Sequence, residues 1–230
     1  MSGSGKFGTL YIVATPIGNP EDITLRAMRV LREVDIVVCE ERKEGARLLH
    51  HLGLTKELRT ANEHDEDENA QELLDALREG KSIALISDCG TPLIADPGNI
   101  LLGMAIDFNI PVVPVPGANS FITALAASGF GTQTFVFRGM LSAKTDERKR
   151  ELRQLRGEKR TIIIFDAPYR LERLAGELAD AFGNARAAVL ALDLTTAQEN
   201  FIRGTPVEIY DAVCGKNWKR EFIFIVGHSE

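Results

Sequence analysis

Short runs of aliphatic and β-branched residues alternate with longer amphipathic segments along the first half of this chain. The runs contain few polar residues, which is typical of strands covered on both faces of a parallel sheet. Four of them predict strands, at 9–14, 35–40, 82–87 and 111–115. Segments with helical periodicity lie between them, at 22–33, 67–79 and 97–108. The pattern predicts a mostly parallel sheet with helices packed against it.

The second half predicts another sheet. Residues 115–120 end a strand and open an apolar helix that runs to about Ala127, which suggests a boundary between domains 1–117 and 118–230. Helices are expected around 145–155 and 169–181, and strands at 134–137, 160–165, 187–192, 201–204 and 221–226. The short gaps between the last strands predict at least one hairpin, so this sheet should be mixed. The fold class is therefore α/β, with two α/β domains.

Composition limits the function classes. The chain has 230 residues, 44% of them hydrophobic, and no apolar run reaches the roughly 20 residues that span a bilayer. We expect a cytoplasmic protein without membrane contact. Cys39, Cys89 and Cys214 lie far apart, without the spacing of a zinc site or a disulfide framework, so we expect buried thiols and no metal.

Three Gly- and Pro-containing loops follow predicted strands, at 15–20, 87–98 and 114–120. In open α/β sheets ligands bind beyond the carboxyl ends of the strands, where such turns bring the backbone close to a ligand. The alternative for the first loop is an ordinary turn. In the second loop, Asp88 can accept a hydrogen bond from an ammonium group, whereas Asp96, just before Pro97, is better explained as a helix cap.

Charge gives two opposite indications. The net charge of −6 provides no global attraction to phosphate. A basic stretch provides a local one, with cations at Lys144, Arg148, Lys149, Arg150, Arg153, Arg156, Lys159 and Arg160. Its alternative is a solvated helix face, because Glu147, Glu151 and Glu158 are interspersed.

The blocks 11–27, 87–98 and 115–120 resemble the tetrapyrrole methylase superfamily, and specifically its ribosomal RNA methyltransferase I branch. The resemblance covers nearly the whole chain. It implies two α/β domains with S-adenosylmethionine in the cleft between them, usually in a homodimer. It also implies methyl transfer to a cytidine ribose 2′-hydroxyl of small-subunit ribosomal RNA, with the 30S subunit as partner.

The resemblance also implies site residues. Gly90, Thr91 and Ile94 correspond to the donor-binding loop, and Ser120 with Phe121 to the matching helix start. Residues at strand ends of the second domain correspond to those that cover the adenosine: Phe165, Ala167 and Leu192. Pro16 and Asp88 complete the expected cofactor-binding set.

A ribose hydroxyl is a poor nucleophile near neutrality, so a base within hydrogen-bond reach should assist its attack. Glu40 and His64 are the candidate bases, and Arg42 is a candidate anchor for a phosphate or carboxylate. For His64 the alternative is an ordinary surface-loop residue. Substrate-side segments depart from the branch pattern more than the donor loops do, at 41–43, 166–169 and 192–196. Methyl transfer is therefore better supported than the identity of the acceptor.

Two alternative hypotheses about the function remain. The first is a methyltransferase of the same fold that modifies a small molecule, as tetrapyrrole methylases do, or a protein. The second is a donor-binding module without catalysis. A Rossmann dehydrogenase is poorly supported, because no Gly-x-Gly-x-x-Gly follows the first strand.

Overall fold

The computed structural model describes residues 7–61 and 66–229. The chain divides into two compact units, Met1–Asn119 and Ser120–Glu230, where the sequence suggested a boundary at 117/118. Within the described residues, each unit contains one five-stranded sheet.

The N-terminal unit has five strands: β1 (Leu10–Val13), β2 (Ile36–Cys39), β3 (Glu57–Thr60), β4 (Ile83–Ile86) and β5 (Val112–Val115). Its helices are α1 (Leu25–Glu33), α2 (Arg42–His51), α3 (Glu66–Arg78) and α4 (Asn99–Asp107). All strand pairs are parallel, in the order β3-β2-β4-β1-β5. The predicted parallel sheet is confirmed.

Both faces of this sheet are covered. One core contains Leu10, Ile36 and Ile83 with side chains of α3 and α4. The other contains Val13, Val37 and Ala84 with side chains of α1. Successive strand residues point to opposite faces, so strands covered on both sides need apolar residues at nearly every position. This explains the continuous apolar runs.

Two elements of this unit were not predicted. Strand β3 lies at the edge of the sheet and is polar and largely half-exposed, so it lacks the apolar run of the inner strands. Helix α2 begins with charged residues and contains Gly45. The glycine is required by packing, because an added Cβ would lie 2.7 Å from the Sγ of Cys39.

Two helix starts lie later than expected. A 3₁₀ turn occupies Pro20–Asp22, and α1 follows with Thr24 as its N-cap, whose side chain accepts from the Ala27 N–H. Helix α4 has Gly98 at its N-cap, in the left-handed conformation at φ 112°. The prediction that Asp96 caps this helix is therefore wrong, since the intervening left-handed glycine turns the chain before the helix begins.

The C-terminal unit has five strands: β6 (Phe135–Gly139), β7 (Thr161–Ile164), β8 (Ala188–Leu192), β9 (Asn200–Gly204) and β10 (Phe222–Val226). Its helices are α5 (Ser120–Ser128), α6 (Thr145–Arg156), α7 (Leu171–Phe182) and α8 (Pro206–Val213). The order is β6-β7-β10-β8-β9; β6 and β7 are parallel, and the remaining pairs are antiparallel. The predicted mixed sheet and the hairpin, formed by β8 and β9, are confirmed.

Helix α8 was missed although its sequence signal is present. Thr205 and Glu208 form a capping box, in which each side chain accepts from the other residue's backbone N–H. Its buried side chains, Ile209 and Val213, join the core of this unit. Within residues 7–61 and 66–229, no helix is long and apolar enough to cross a membrane.

Candidate functional site

The three predicted loops follow three strands that are neighbours in one sheet. Strand β1 lies between β4 and β5 and is parallel to both. The carboxyl ends of parallel strands meet at one edge, so the three loops lie side by side there. From β1 the chain crosses to β2 and β3 on one side, then forms β4 between β2 and β1, and finally adds β5 on the other side of β1. This reversal of direction makes the carboxyl end of β1 the topological switch point of the sheet, where ligands of open α/β folds bind.

Thr15 connects the first loop to the second. Its backbone N–H donates to the Gly90 carbonyl over 2.8 Å, and its hydroxyl accepts from the Gly90 N–H over 3.1 Å. The same hydroxyl donates to the Ser87 carbonyl over 3.0 Å. The Thr15 side chain is 2% exposed, so these bonds are shielded from water. The first loop is thus more than an ordinary turn, because it holds the backbone of the second.

Thr91 connects the second loop to the third. Its hydroxyl donates to the Ala118 carbonyl over 3.1 Å and accepts from the Asn119 side-chain amide over 3.2 Å. Thr91 therefore has a structural role, because its hydroxyl joins the second loop to the third. Sequence reasoning did not nominate Thr15 or Asn119 as site residues; their polarity beside Gly and Pro was the available signal.

The second loop has an unusual backbone. Four of the nine residues from 90 to 98 have positive φ: Gly90 (93°), Leu93 (69°), Ala95 (67°) and Gly98 (112°). Leucine and alanine adopt this region at an energetic cost, and such residues concentrate at ligand sites. Ile94 lies between the two non-glycine residues and is half-buried. Pro16 of the first loop is also half-buried.

Asp88 connects the second loop to the end of β2. Its Oδ1 accepts from the Glu41 N–H over 3.1 Å, at the residue that precedes α2. Among the described residues, no hydrogen bond to its Oδ2 is present. Partial burial raises the pKa of this carboxyl above its ordinary value. One oxygen of Asp88 thus positions α2, and the other can accept from a ligand.

The catalytic candidates at the end of β2 are both exposed. Glu40 follows the last residue of β2, and Arg42 is the first residue of α2. One guanidinium N–H of Arg42 donates to the Leu58 carbonyl over 2.8 Å, which anchors its side chain near β3. His64 lies outside the described residues.

Asp96 has a different environment from Asp88. Desolvation raises the pKa of Asp96, the neighbouring Ser87 hydroxyl partly offsets that rise, and the negative charge of Asp88 adds a smaller increase. Asp96 therefore lies half-buried in the second loop, and it does not cap α4.

The cysteines differ from expectation in two of three cases. Cys39 is buried, and desolvation raises its pKa to about 11. Cys89 and Cys214 are exposed, so the prediction of buried thiols is wrong for them. Cys89 belongs to the second loop, and its thiol donates to the Ile17 carbonyl over 3.5 Å. In this part of the loop Ser87 and Gly90 are buried, whereas Cys89, which lies between them in sequence, is exposed.

In the C-terminal unit, three half-buried phenylalanines form a stacked row. Phe121 of α5 stacks on Phe137 of β6 with ring centroids 4.2 Å apart, and Phe137 stacks on Phe165, after β7, at 5.7 Å. Two of these residues, Phe121 and Phe165, were predicted site residues, as was Ser120, which begins α5. Phe137 was not predicted as a site residue, because an aromatic residue within a strand is typical of a core position.

The other two predicted site residues of this unit, Ala167 and Leu192, differ in their exposure. Ala167 is half-buried, beside Phe165 in the loop after β7. Leu192 is fully buried in the core, and its backbone lies between β9 and β10. Its side chain is therefore not presented to a ligand.

The loop after β7 is held by a buried ion pair. Arg148 is 1% exposed, and its Nη2 lies 3.0 Å from the Asp166 Oδ2, close enough for ion pairing although the angle does not meet hydrogen-bond geometry. Arg148 also donates to Glu177 over 2.6 Å, and Arg170 lies 3.3 Å from Asp166. Asp166 in turn accepts from the Ala167 N–H. The network fixes the backbone next to Phe165.

The described residues contain no group of three or more His, Cys, Asp or Glu side chains that could hold a metal ion. The arrangement is instead a set of loops joined by hydrogen bonds at the carboxyl ends of the strands and, in the other unit, a row of aromatic side chains. Such a chain has the parts that recognise an organic ligand.

This chain belongs to the tetrapyrrole (corrin/porphyrin) methylase family, whose model matches residues 9–209. It is accordingly a methyltransferase. Within the family, it is similar to proteins named ribosomal RNA small subunit methyltransferase I. It is 44% identical over 207 residues to the one from Pseudomonas aeruginosa, covering 90% of this chain and 73% of that protein. It is 40% identical over 224 residues to the one from Halalkalibacterium halodurans, covering 97% of this chain and 77% of that protein.

Solved structures agree on the fold. Uroporphyrin-III C-methyl transferase from Thermus thermophilus, complexed with S-adenyl homocysteine, superimposes with a TM-score of 0.66 at 20% identity. The match covers 96% of this chain and 97% of that one. The resemblance to the methyltransferase I branch is thus confirmed by the relatives, and the tetrapyrrole methylase fold by the structures.

Proposed function

We propose that this protein transfers the methyl group of S-adenosylmethionine to small-subunit ribosomal RNA, at the 2′-hydroxyl of a cytidine ribose. The observation that carries the proposal is the set of three interlocked loops at the switch point of the parallel sheet, in a chain 44% identical to a ribosomal RNA small subunit methyltransferase I. The cytidine and the ribose position come from the family resemblance.

The donor-binding role is assigned first to residues of the N-terminal unit: Pro16, Asp88, Gly90, Thr91 and Ile94. S-adenosylmethionine carries an ammonium, a carboxylate and two ribose hydroxyls, and it supplies an electrophilic methyl group. The second loop offers complementary groups, because its backbone is held in one conformation and Asp88 Oδ2 can accept from an ammonium. The residues therefore fit the donor.

In the C-terminal unit the role is assigned to Ser120, Phe121, Phe165 and Ala167, and with less support to Leu192. The aromatic row supplies apolar, flat surfaces suited to a purine, and aromatic side chains are common in small-molecule sites. The buried Leu192 side chain favours a supporting position behind such a surface over direct contact.

The acceptor-side role is assigned to Glu40, Arg42 and His64. A carboxylate or an imidazole near the ribose hydroxyl accepts its proton as the oxygen attacks the methyl carbon. Arg42, already fixed by Leu58, is suited to hold a phosphate of the RNA. Alignment of the two reactants supplies much of the rate, because the transfer requires the oxygen directly behind the carbon.

The test is a calorimetric titration with S-adenosylmethionine, followed by incubation of purified small ribosomal subunits with labelled donor. Donor binding with one labelled 2′-O-methylcytidine supports the proposal. Binding without transfer to RNA would favour a small-molecule or protein acceptor, or a binding module without catalysis. A lack of donor binding would overturn it.

Asp88 allows a sharper test of the donor site. Asp88→Asn keeps an oxygen that accepts from the Glu41 N–H but removes the charge that would attract an ammonium. We expect the donor affinity to fall about tenfold or more, because a hydrogen bond to a charged group contributes about 1.5–3 kcal/mol. Asp35→Asn is the matched control, since Asp35 likewise accepts from a backbone N–H 47 residues away, that of Ser82. Equal losses in both variants would contradict the assignment.

We further propose a cytoplasmic homodimer, on the family resemblance alone. Sedimentation of the purified protein with and without the donor tests the oligomeric state. A monomer under both conditions would remove the dimer from the proposal and leave the donor-site assignments intact.

A further inference from the structure

Helix α6 has three faces of different character. Arg148, Leu152 and Leu155 are buried against the core of the C-terminal unit. Glu147 and Glu151 form a second face and are engaged by Ser142, which donates its hydroxyl to the first and its backbone N–H to the second. The remaining face points to solvent.

This third face is mostly basic, with Asp146 as an exposed carboxylate in its first turn. Five cations on the helix and just after it are exposed, and none lies within ion-pairing distance of a carboxylate in the part of the chain that the structure describes. We call them the α6 basic face: Lys149, Arg150, Arg153, Arg156 and Lys159. At 100° per residue, positions 149, 153 and 156 fall on one side of the helix.

The other three cations of this sequence segment are occupied. Arg148 is buried with Asp166 and Glu177. Lys144 lies 3.4 Å from Glu147. Arg160 lies 2.7 Å from Glu158 and, by hydrogen bonding to it, lowers the pKa of that carboxyl to about 2. Among the described residues, the structure thus separates the cations that pair with a carboxylate from those that do not.

The basic face continues to a concave surface. A cavity of about 540 Å³ at the C-terminal end of α6 is lined in part by Arg156 and Lys159. Its wall also includes Arg186, which is held by the carbonyls of Gly227, Glu158 and Arg160 at 2.6–2.7 Å. Glu158, which is paired with Arg160, and Asp180 also line the cavity, and the hydrogen bonds of Arg186 hold the backbone on both sides of Lys159.

We propose that the α6 basic face binds the phosphate backbone of RNA. The proposal rests on the proposed function, because it supplies the surface that holds the ribosomal RNA. A chain with a net charge of −6 repels phosphate overall, so binding requires a local group of cations that no carboxylate neutralises. From Lys149 to Arg156 this face extends about 10 Å along the helix, enough to contact more than one phosphate. Such contacts position the RNA without reading its sequence.

The experiment compares two triple variants with the same charge. Lys149→Gln/Arg153→Gln/Arg156→Gln removes three cations of the α6 basic face. Arg26→Gln/Arg32→Gln/Lys81→Gln removes three exposed cations of the N-terminal unit. Each variant changes the formal net charge from −6 to −9, because three positive charges are lost. Binding to purified small ribosomal subunits and to a labelled oligocytidylate is measured over a range of salt concentrations.

Affinity for the single-stranded probe falls as salt concentration rises, with a slope of about −0.7 per neutralised phosphate on a double logarithmic plot. For the α6 variant, which loses three cations, we expect this slope to become shallower by about two. The control should keep the slope of the unmodified protein. Equal slopes for the two variants would overturn the proposal. Binding to vesicles that contain anionic lipid, lost in the α6 variant while RNA binding persists, would also overturn it in favour of a membrane surface.

Donor binding separates this inference from the proposed function. Both variants should bind S-adenosylmethionine with unchanged affinity by calorimetry, which also shows that they are folded. If the unmodified protein binds RNA through this face but transfers no methyl group, the proposed function fails and the surface remains. If it methylates the subunit and the α6 variant retains full RNA affinity, the surface fails and the function remains.

Discussion

Thr15 and Gly90, 75 residues apart in the chain, exchange two backbone-directed hydrogen bonds at the edge of the parallel sheet. The Thr15 N–H donates to the Gly90 carbonyl, and the Gly90 N–H donates to the Thr15 hydroxyl. Both residues are buried. These two hydrogen bonds hold the loops after β1 and β4 together. A substitution of either residue should therefore change the conformation of both loops of the proposed donor site.

Thr15→Val should destabilise the protein and weaken donor binding. Valine has the same shape but leaves the buried Gly90 N–H without its partner, which costs about 1–3 kcal/mol. Chemical denaturation gives the free energy of unfolding, and calorimetry gives the donor affinity. Thr161→Val is the control, because Thr161 is equally buried in the C-terminal unit and its hydroxyl donates to the Gly131 carbonyl. If both variants lose donor affinity equally, the loop-specific role of Thr15 is wrong.

Gly90→Ala should lower the donor affinity more than its cost in stability explains. An added Cβ would lie 3.1 Å from Ile17 Cγ2, so the Ile17 side chain of the first loop would have to shift by a few tenths of an ångström. Gly53→Ala is the comparison: Gly53 also has positive φ, 66°, but an added Cβ there contacts nothing within 4 Å. Each substitution should cost about 1–2 kcal/mol from the left-handed backbone. Unchanged donor binding by Gly90→Ala would contradict the placement of the donor at this loop.

Thiol labelling should report on the same loop. In the native protein we expect Cys89 and Cys214 to react with a thiol reagent, whereas Cys39, buried and with a pKa raised to about 11, reacts only after denaturation. S-adenosylmethionine should slow the reaction of Cys89 and leave that of Cys214 unchanged. Mass spectrometry of labelled peptides distinguishes the sites, and Cys214 acts as an internal control. Equal protection of the two thiols would argue against a donor site at the second loop.

Asp96→Asn should stabilise the protein at neutral pH. Desolvation raises the folded-state pKa of Asp96 above its ordinary value of 3.8, so the folded state binds more protons than the unfolded state in that window. The contribution of Asp96 to stability therefore falls as pH rises above 3.8, and asparagine removes this loss. Denaturation at about pH 3 should show little difference between variant and unmodified protein, and at about pH 7 the variant should be more stable. A stabilising effect that is independent of pH would refute this origin.

Arg148→Met should cost about 3–5 kcal/mol in unfolding free energy, because it leaves Asp166 buried without its nearest cation. Arg173→Met removes the other, half-exposed cation of Glu177 and should cost no more than about 1 kcal/mol. Adding Asp166→Asn to Arg148→Met should recover part of the loss, since the uncompensated charge disappears. Chemical denaturation of the unmodified protein, the two single variants and the double variant measures these differences in unfolding free energy. Similar costs for Arg148→Met and Arg173→Met would show that the buried pair has no special weight.

Local patterns sufficed for much of the fold. The apolar runs identified β1, β2, β4 and β5 as strands, and the fully buried β2 and β4 show why: a strand covered on both faces requires apolar residues at nearly every position. The loops after three of these strands were recognisable from Gly and Pro, whose backbone preferences are properties of the residues themselves. These signals needed no knowledge of distant contacts.

Other features depended on contacts far apart in the chain. The polar edge strand β3 exists because β2 pairs with it, and Gly45 in α2 is needed because Cys39 lies against it. Arg148, one of a run of similar cations, is buried because Asp166 and Glu177 receive it. Helical periodicity places Arg148 on the face of Leu152 and Leu155 and Arg153 on another, but residue type alone does not show that two carboxylates receive Arg148.

The sequence by itself determined the two α/β halves, the parallel character of the first sheet and the loops that have the chemistry of a donor site. Only the tertiary structure decided that β4, β1 and β5 are neighbours, that Thr15 and Thr91 join their loops, and which cations of α6 have a carboxylate partner. The physical reason is that periodicity and backbone preference act within a few residues, whereas strand order and ion pairing are fixed by contacts that form only when the chain has folded.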